Sequence, residues 1–251
     1  MQDTTATLDG KTALITGAAH RIGATIARTL HAAGLNLILH YRGSRAAAEA
    51  LCADLNGRRA SSVILTQADL LDIAQLPALV EQAHAAWGRL DVLVNNASSF
   101  FPTPVGTVTE DQWNNLLGTN LKAPFFLAQA AAEHLRQARG CIVNIVDIHG
   151  QRPLKDHPVY SIAKAGLGML TQALARELGP EVRVNGVAPG AILWPERGLS
   201  EAAKRQILDR TALKRHGSPQ DIARAVLFLI RDADYMTGQI LNVDGGRSLS
   251  Q

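Results

Sequence analysis

The sequence predicts an α/β fold: a single Rossmann-type, doubly wound domain with about seven parallel strands and helices on both faces of the sheet. Short apolar runs alternate with longer helical patterns along all 251 residues, and this alternation is typical of a parallel sheet. No linker-like, low-complexity or repeated segment divides the chain, so residues 1–251 are predicted to form one domain. Glycines and polar residues follow several strands, at the sheet edge where such folds bind ligands.

The strands are predicted from seven short, mainly apolar runs. The fifth of them delivers Asp147 at its carboxyl end, and Gly17, Asn96 and the pair Pro189-Gly190 likewise follow strands. One crevice at the carboxyl edge of the sheet is therefore expected to collect these residues. The predicted strands are residues 11–16, 35–40, 62–66, 91–94, 141–146, 182–187 and 239–243.

The helices are predicted from the segments between these strands. The first ends at Gly34, a normal C-terminal stop. The fourth follows a loop that contains Pro102 and Pro104. The predicted helices are residues 21–33, 44–55, 72–87, 110–136, a segment starting near residue 158, 201–209 and 219–230.

Composition excludes several classes of function. Hydrophobic residues make up 47% of the chain and charged residues 19%, and the net charge of +3 comes from scattered basic residues. Nucleic-acid binding is therefore not expected, whereas an anionic ligand is compatible. Residues 1–10 lack the apolar stretch of a secretory signal peptide, and no run of about eighteen apolar residues predicts a membrane span. Cys52 and Cys141 have no metal-ligand spacing, so we expect free thiols, a cytoplasmic protein and no metal.

Tyr160 and Lys164 are the main candidates for chemistry. Residues four apart on a helix share a face, so the phenol and the ammonium can address one small volume. A nearby cation favours the phenolate, and we expect Lys164 to lower the pKa of Tyr160 from its usual ~10, which would suit proton transfer near neutral pH. Taken alone, a Tyr-x-x-x-Lys spacing is more often incidental on a surface helix. The predicted cofactor site favours the catalytic interpretation.

That site begins at the turn from Gly17 to Gly23, which opens the first helix. Glycine stands at the tight corner and again where helix and strand pack closely. Backbone amides at a helix N-terminus suit a pyrophosphate, although a glycine pair after a strand is a weak signal by itself. Arg21 occupies the place where a middle glycine is often found, and it can reach a phosphate or an anionic substrate.

The loop after the second strand predicts the choice of cofactor. It reads His40-Tyr41-Arg42-Gly43-Ser44-Arg45 and has no acid before Glu49. A carboxylate here would bind the ribose 2′-hydroxyl of NAD, whereas arginine accommodates the 2′-phosphate of NADP. The pattern favours NADPH, and two solvated surface arginines are the alternative. After the third strand, Asp69 is either an acceptor for the adenine amino group or a helix N-cap.

Taken together, these motifs resemble the short-chain dehydrogenase/reductase family over nearly the whole chain. That resemblance implies that Asn96 and Ala97 line the cofactor, that Asn120 supports a proton relay, and that Tyr160 and Lys164 are catalytic. It also implies that Lys164 binds the nicotinamide ribose. The motifs are Thr16-Gly17 with Gly23, Asn95-Asn96-Ala97, Asn120, Tyr160 with Lys164, Pro189-Gly190, and Val243-Asp244-Gly245-Gly246.

Two departures from the family pattern narrow the resemblance to the pteridine reductases. Arg21 replaces the usual middle glycine, and Asp147 replaces the usual catalytic serine. This branch implies that Phe100 stacks on a pterin opposite the nicotinamide, that Ser98 and Arg21 contact substrate or cofactor phosphates, and that Asp147 works with Tyr160 in proton delivery. A structural cap is the alternative for Asp147, and core packing is the alternative for Phe100.

The resulting prediction is an NADPH-dependent oxidoreductase of the pteridine reductase type. It is expected to convert 7,8-dihydropterin or dihydrofolate to the tetrahydro form. The family resemblance implies that it is a homotetramer. The alternatives are a carbonyl or 3-oxoacyl ketoreductase of the same fold, or a non-catalytic NADP(H) sensor. The predicted catalytic residues are Asp147, Tyr160, Lys164 and Asn120; the cofactor-binding residues are Gly17, Arg21, Ile22, Gly23, His40, Tyr41, Arg42, Ser44, Asp69, Leu70, Asn96, Ala97, Ser98, Lys164, Pro189 and Gly190; and the substrate-binding residues are Arg21, Ser98, Phe100, Asp147, Tyr160, Leu193 and Trp194. The segment after Gly190, through Pro195 and Glu196, is expected to form part of the pocket wall.

Overall fold

Seven parallel strands form one sheet in the order β3-β2-β1-β4-β5-β6-β7. The computed structural model describes residues 7–194, 198 and 200–249. The strand order reverses between β1 and β4, and in open parallel sheets this is the point where a ligand crevice opens at the carboxyl ends. The strands are β1 (Thr12–Ile15), β2 (Asn36–Tyr41), β3 (Val63–Gln67), β4 (Val92–Asn95), β5 (Cys141–Ile145), β6 (Arg183–Pro189) and β7 (Ile240–Val243).

Two layers of helices cover the sheet. On one face α1, α2 and α8 pack against alternate strand residues, such as Ala13 and Ile15. On the other face α3, α5 and α6 pack against the residues between them, such as Leu14. Because successive strand side chains point to opposite faces, a nearly continuous apolar run serves both cores. The helices are α1 (Arg21–Ala32), α2 (Arg45–Arg58), α3 (Leu76–Ala85), α4 (Glu110–Leu117), α5 (Ala123–Ala138), α6 (Pro158–Leu178), α7 (Glu201–Asp209) and α8 (Pro219–Arg231).

The predicted fold class is confirmed, and the strand and helix ends differ by one to three residues in most cases. The exception is the single helix predicted over residues 110–136. A π-helical turn, Gly118–Lys122, separates α4 from α5. Here the side-chain amide of Asn120 donates to the Leu116 carbonyl, the group that an α-helix would pair with the backbone N–H of residue 120. Such π-turns occur frequently at functional sites.

A buried chain of polar side chains ties the centre of the sheet to α6. Asn95 donates to Asn144 across β4 and β5, and Asn144 donates to Thr171 of α6. The Thr171 hydroxyl donates to the Leu167 carbonyl. Buried polar groups must be hydrogen-bonded to be tolerated, so this chain fixes the position of α6, which carries Tyr160, relative to the strand ends.

Two further features bear on the sequence predictions. Cys52 is partly buried, Cys141 is buried, and both are free thiols. Among the described residues, no helix combines the length and the apolar character that a membrane crossing requires.

Candidate functional site

A cavity of about 930 Å³ lies at the carboxyl ends of the strands, beside the point where the strand order reverses. It brings together nearly all of the residues predicted to bind cofactor or substrate, although they are spread over more than 170 positions of sequence. The predicted residues that line it are Gly17, Arg21, Ile22, Gly23, His40, Tyr41, Arg42, Ser44, Asp69, Leu70, Asn96, Ala97, Ser98, Phe100, Asp147, Tyr160, Lys164, Pro189, Gly190 and Leu193.

The glycine turn has the geometry that a dinucleotide site requires. Gly17 adopts a left-handed φ of 61°, a conformation that other residues reach only with strain. A Cβ on Gly23 would lie 2.3 Å from the Gly17 carbonyl oxygen, so no side chain fits between the turn and α1. Asn96 donates from its side chain to the carbonyls of Thr16 and Gly17, which holds the turn against the end of β4. The first-turn amides of α1 therefore face the cavity as donors for a phosphate.

Arg21 has an unusual backbone at the rim of the same turn. Its φ is 52°, within the left-handed region that favours glycine, and it lines the cavity. A non-glycine residue in that region costs about 1–2 kcal/mol. The sequence shows only that arginine replaces the usual glycine. The structure shows that residue 21 keeps the left-handed backbone conformation that favours glycine.

The loop between β2 and α2 contributes Tyr41, Arg42 and Ser44 to the cavity wall. Arg45 does not line the cavity; it pairs with Glu49 at 3.5 Å and donates to Gln67. Arg42 is therefore the arginine of this loop that faces the cavity. No carboxylate from this loop lines the cavity, which leaves room for a 2′-phosphate.

Asp69 does not cap a helix, so that alternative is wrong. Its carboxylate accepts from the Leu71 amide in a local turn, while Asp72 caps the short 3₁₀ turn that precedes α3. The two aspartates are three residues apart, and both follow β3, so sequence alone cannot tell which one caps. Asp69 lines the cavity, and its contact with adenine stays a prediction.

Tyr160, Asp147 and Lys164 meet at the inner end of the cavity. The Tyr160 hydroxyl donates to Asp147 Oδ2 at 2.8 Å. Asp147 Oδ1 accepts from the His149 amide, so the same carboxylate also caps the 3₁₀ turn Ile148–Gly150. Lys164 is 2% exposed and donates from Nζ to the Ile145 carbonyl at 2.9 Å. Asp147 thus caps a turn and also contacts Tyr160, and its part in proton delivery stays a prediction.

The predicted lowering of the tyrosine pKa is wrong. Burial, followed by the charge of Asp147 and the hydrogen bond to it, raises the pKa of the Tyr160 phenol well above its usual value. The Lys164 ammonium lies over the Tyr160 ring, 5.7 Å from its centroid. Burial also lowers the pKa of the Lys164 ammonium from its usual value to about 8. The Tyr160 hydroxyl is therefore protonated in the site and can act as a proton donor.

Asn120 lies behind the cavity wall and does not reach the Tyr160 hydroxyl. It is buried in the π-turn, where its side chain donates to the Ser99 carbonyl and accepts from the Ser98 hydroxyl at 2.7 Å. Ser98 lies near enough to Tyr160 to lower the pKa of the phenol, against the larger effects of burial and Asp147. Asn120 thus contacts a neighbour of Tyr160, and its place in a proton relay stays a prediction.

Phe100 is 53% exposed, so the core-packing alternative is wrong. One face of its ring stacks on His157, with centroids 4.7 Å apart and planes 11° apart, and it meets Tyr160 edge to face. His157 immediately precedes α6, and nothing in the sequence links it to a ring 57 positions earlier. His157 thus packs against one face of the Phe100 ring, and Phe100 also lines the cavity.

The far wall of the cavity differs from the prediction at one residue. Leu193 lines the cavity. Trp194 does not, because its ring packs against His216 with centroids 5.6 Å apart. Pro195 and Glu196 lie outside the described residues. Phe101 was missed by the sequence analysis; it lines the cavity and packs against the apolar cluster of Leu116, Val159 and Tyr160.

One group of potential metal ligands lies on α3 and α5, away from the cavity. His134 shares a 2.8 Å hydrogen bond with Glu81 and stacks on His84, with centroids 4.1 Å and planes 16° apart. Imidazole binds a metal through a lone pair in the ring plane. Two nearly parallel rings direct these lone pairs into separate planes, so the arrangement favours a stacked, hydrogen-bonded surface cluster over a metal centre.

Comparison with known proteins identifies the family. Residues 17–248 match a family model described as enoyl-(acyl carrier protein) reductase. The chain is 37% identical to pteridine reductase 1 of Leishmania tarentolae, over 95% of this chain and 96% of that protein. It is also 37% identical to 3-oxoacyl-(acyl-carrier-protein) reductase FabG of Staphylococcus aureus, over 94% of this chain and 97% of the relative. With the fold and site described above, these matches show that the chain belongs to the short-chain dehydrogenase/reductase family and is an oxidoreductase of the nicotinamide-dependent type.

Proposed function

We propose that this protein is an NADPH-dependent pteridine reductase that converts a 7,8-dihydropterin or dihydrofolate to its tetrahydro form. The observation that carries the proposal is the 2.8 Å hydrogen bond from the Tyr160 hydroxyl to the carboxylate of Asp147 inside the cavity. A ketone develops negative charge on its oxygen during reduction, and a carboxylate beside it would oppose that charge. A pterin instead presents ring nitrogens and an amino group, which a carboxyl group can pair with or protonate.

The described residues fit a nicotinamide dinucleotide. The glycine turn and the first amides of α1 would hold the pyrophosphate, and Arg42 with Ser44 would hold a 2′-phosphate. Asp69 and Leu70 would flank the adenine, and Asn96, Ala97, Pro189 and Gly190, which line the same cavity, would lie beside the nicotinamide. When bound, the cofactor supplies the hydride that reduces the C=N bond, and the protein positions the substrate carbon to receive it.

The chain's own residues supply the proton that the ring nitrogen takes up. Tyr160 holds that proton because its pKa is raised, and the bond to Asp147 Oδ2 links the two groups as one unit. The pair holds one transferable proton, which reaches the substrate nitrogen either directly from the Tyr160 hydroxyl or through Asp147 Oδ2, with the Tyr160 proton following along this bond. In both cases Asp147 ends as the carboxylate and Tyr160 as the phenolate. The Lys164 ammonium, held by the Ile145 carbonyl and lying over the Tyr160 ring, places a positive charge next to the phenolate that remains.

The proposal is tested by following NADPH oxidation with dihydrobiopterin, dihydromonapterin, dihydrofolate and an acetoacetyl thioester in parallel. The expected result is a kcat/KM for one of the pterin or folate substrates that exceeds that for the thioester by at least about a hundredfold, well within the ~10⁴–10⁵-fold discrimination that a site built to hydrogen-bond its substrate can reach. Turnover of the thioester alone would refute the proposal.

A ketoreductase is the second candidate. It is supported by relatives named 3-oxoacyl-(acyl-carrier-protein) reductase, which are as similar to this chain as the pteridine reductase is, at 37% identity. The Asp147 carboxylate beside Tyr160 favours the pterin over the ketone. A sensor that binds NADP(H) without turnover is disfavoured because Tyr160, Lys164 and the cavity are all present together.

Arg42→Ala is expected to weaken NADPH binding by about 1.5–3 kcal/mol, the range for a charge-assisted hydrogen bond, and to change NADH binding little. The physical reason is that Arg42 lines the cavity on a loop that contributes no acid to its wall. Dissociation constants for both cofactors measure the effect. Arg45→Ala is the matched control, and we expect little change because Arg45 faces Glu49 and Gln67. Equal losses of NADPH and NADH affinity in Arg42→Ala would remove Arg42 as the phosphate ligand.

Phe100→Leu is expected to raise KM for the pterin about two- to tenfold, because stacked aromatic pairs contribute roughly 0.5–1.5 kcal/mol beyond buried area. NADPH affinity and melting temperature should stay unchanged, since the ring is half exposed and its loss leaves no core cavity. Phe100→Tyr keeps the flat face and should retain the wild-type KM. Steady-state kinetics with the pterin varied decide the point; an unchanged KM in Phe100→Leu would mean that the ring does not contact the substrate.

Assembly and location complete the proposal. Large apolar side chains are exposed on three adjacent helices, α4, α5 and α6, at Trp113, Phe125, Ile162 and Met169. We propose that a second copy of the chain covers them in a homotetramer, which light scattering at working concentration will test.

We place the protein in the cytoplasm, which is consistent with two free thiols.

A further inference from the structure

His40 lies beneath the glycine turn, where it joins three segments of the cofactor site. Its side chain is 2% exposed. Ring atom Nδ1 accepts from the Gly17 amide at 3.2 Å, and ring atom Nε2 lies 3.1 Å from the Ala68 carbonyl at the end of β3. The backbone carbonyl of His40 accepts from the Ala18 amide. One residue of β2 thus pairs with two successive amides of the turn and with the loop that carries Asp69.

The partners of the ring define its hydrogen positions. Gly17 offers an N–H, so Nδ1 must carry a lone pair. Ala68 offers a carbonyl oxygen, so Nε2 must carry the hydrogen. His40 is therefore a neutral imidazole with the hydrogen on Nε2, a form with one donor and one acceptor on opposite sides. Asparagine supplies only the acceptor in the place of Nδ1, and glutamine supplies only the donor in the place of Nε2.

In this arrangement the backbone amides of the glycine turn have different hydrogen-bond partners. The Gly17 and Ala18 amides are used by His40, so they point into the fold and away from a ligand. The donors left for a pyrophosphate are the amides that follow, at the start of α1. Gly17 has a left-handed φ at the same point, so the turn is tight where its amide bonds His40. A change at His40 alters the direction of the later amides without touching the ligand.

We infer that His40 is a positioning residue for the dinucleotide site, which holds the glycine turn in its binding shape through the Gly17 amide while anchoring the turn to Ala68. The inference rests on the proposed binding of a nicotinamide dinucleotide and goes beyond a ligand role for His40, because both ring nitrogens are engaged by the protein. The pyrophosphate is common to NADPH and NADH, so His40 acts on both cofactors equally, in contrast to Arg42.

The same bond makes cofactor binding sensitive to acid. Protonation would place a hydrogen on Nδ1, facing the Gly17 N–H, and the bond would be lost. Burial lowers the pKa of His40 below its usual value, while the Ala68 carbonyl and the charge of Asp69, the charged group that acts on it among the described residues, oppose the shift. The neutral ring is therefore present above the usual value of about 6.5, and the stability that it contributes is lost as pH falls through that value towards the lower pKa of the folded state.

The experiment measures dissociation constants of NADPH and NADH for wild type, His40→Gln and His40→Asn by fluorescence titration without substrate. His40→Gln should weaken both cofactors by about tenfold, because it leaves the buried Gly17 amide unpaired. His40→Asn should recover most of that loss, since its Oδ1 replaces Nδ1. Equal loss in the two variants, or wild-type affinity in His40→Gln, overturns the inference.

A pH series keeps the test decisive if His40→Gln proves unable to fold. Wild type should lose NADPH affinity as pH falls below about 6.5 more steeply than His40→Asn, which cannot take up a proton. Titration of the cofactor phosphate near pH 6 is common to both and cancels in the comparison. Parallel profiles overturn the inference. Wild-type protein that binds NADPH but reduces no pterin would refute the proposed function and leave the role of His40 intact.

Discussion

Replacing Tyr160 with phenylalanine is expected to lower kcat for the pterin by about 10²–10⁴-fold, the usual contribution of general acid–base assistance. The hydroxyl carries the proton that the substrate nitrogen needs, and its raised pKa keeps that proton in place until reaction. The ring packs against Leu116 and Val159 in a small apolar cluster, which phenylalanine preserves. Folding and NADPH affinity should therefore stay close to wild type. Single-turnover rates with saturating NADPH measure the chemical step directly.

A variant that keeps about half of the wild-type rate would contradict this account, because general acid assistance is never so small when the acid is essential. In that case Asp147 or solvent would be the proton source. Phe101→Leu is a useful control, since this ring lines the same cavity and packs against the cluster that contains Tyr160 but has no proton to give. It should change KM more than kcat.

Asp147→Ser is expected to lower kcat/KM for a dihydropterin by roughly tenfold to a hundredfold, which corresponds to the ~1.5–3 kcal/mol of a hydrogen bond to a charged group. Activity on a simple ketone should stay the same or rise, because a repelling charge leaves the site of the developing alkoxide and a donor hydroxyl takes its place. The measurement is kcat/KM for both substrates in wild type and variant. A loss on the ketone with no change on the pterin would reverse the assignment in favour of the ketoreductase.

The local structure should survive this change. Asp147 caps the turn Ile148–Gly150 through the His149 amide, and serine accepts a hydrogen bond at such a position equally well. Asp147→Asn is the matched control, since it keeps the shape and the cap but removes the charge and offers no hydroxyl. It should lose pterin activity. A ketone gain shared by both variants would come from removal of the charge, whereas a gain confined to Asp147→Ser would come from the hydroxyl.

The elements of the fold and the cavity that they build were predictable because both depend on local patterns. Alternating strands and helices predict a parallel sheet, and residues that follow parallel strands must share one edge of it. Gly17, Asn96, Asp147 and Gly190 meet there for that reason alone. The replacements at positions 21 and 147 were likewise visible in the sequence as departures from a motif.

Features that depend on contacts between distant segments were not predictable. The π-turn forms because the Asn120 side chain takes a helix carbonyl while also reaching Ser99, a loop residue 21 positions earlier. The stack of His157 on Phe100 joins two loops that no periodicity relates. The direction of the Tyr160 pKa shift was misjudged because spacing gives the distance to Lys164, whereas the shift is decided by burial and by Asp147.

Because Arg21 has a left-handed backbone conformation, stability and activity are expected to favour different residues at this position. Glycine would relieve about 1–2 kcal/mol of strain there and would suit the turn better than any other residue. It would also remove a cation from the rim of a cavity proposed to receive phosphates. A library randomised at this position and sorted for heat resistance should therefore enrich glycine, whereas the same library sorted for turnover should return arginine. The residue found most often at position 21 would therefore differ between selection for stability and selection for turnover.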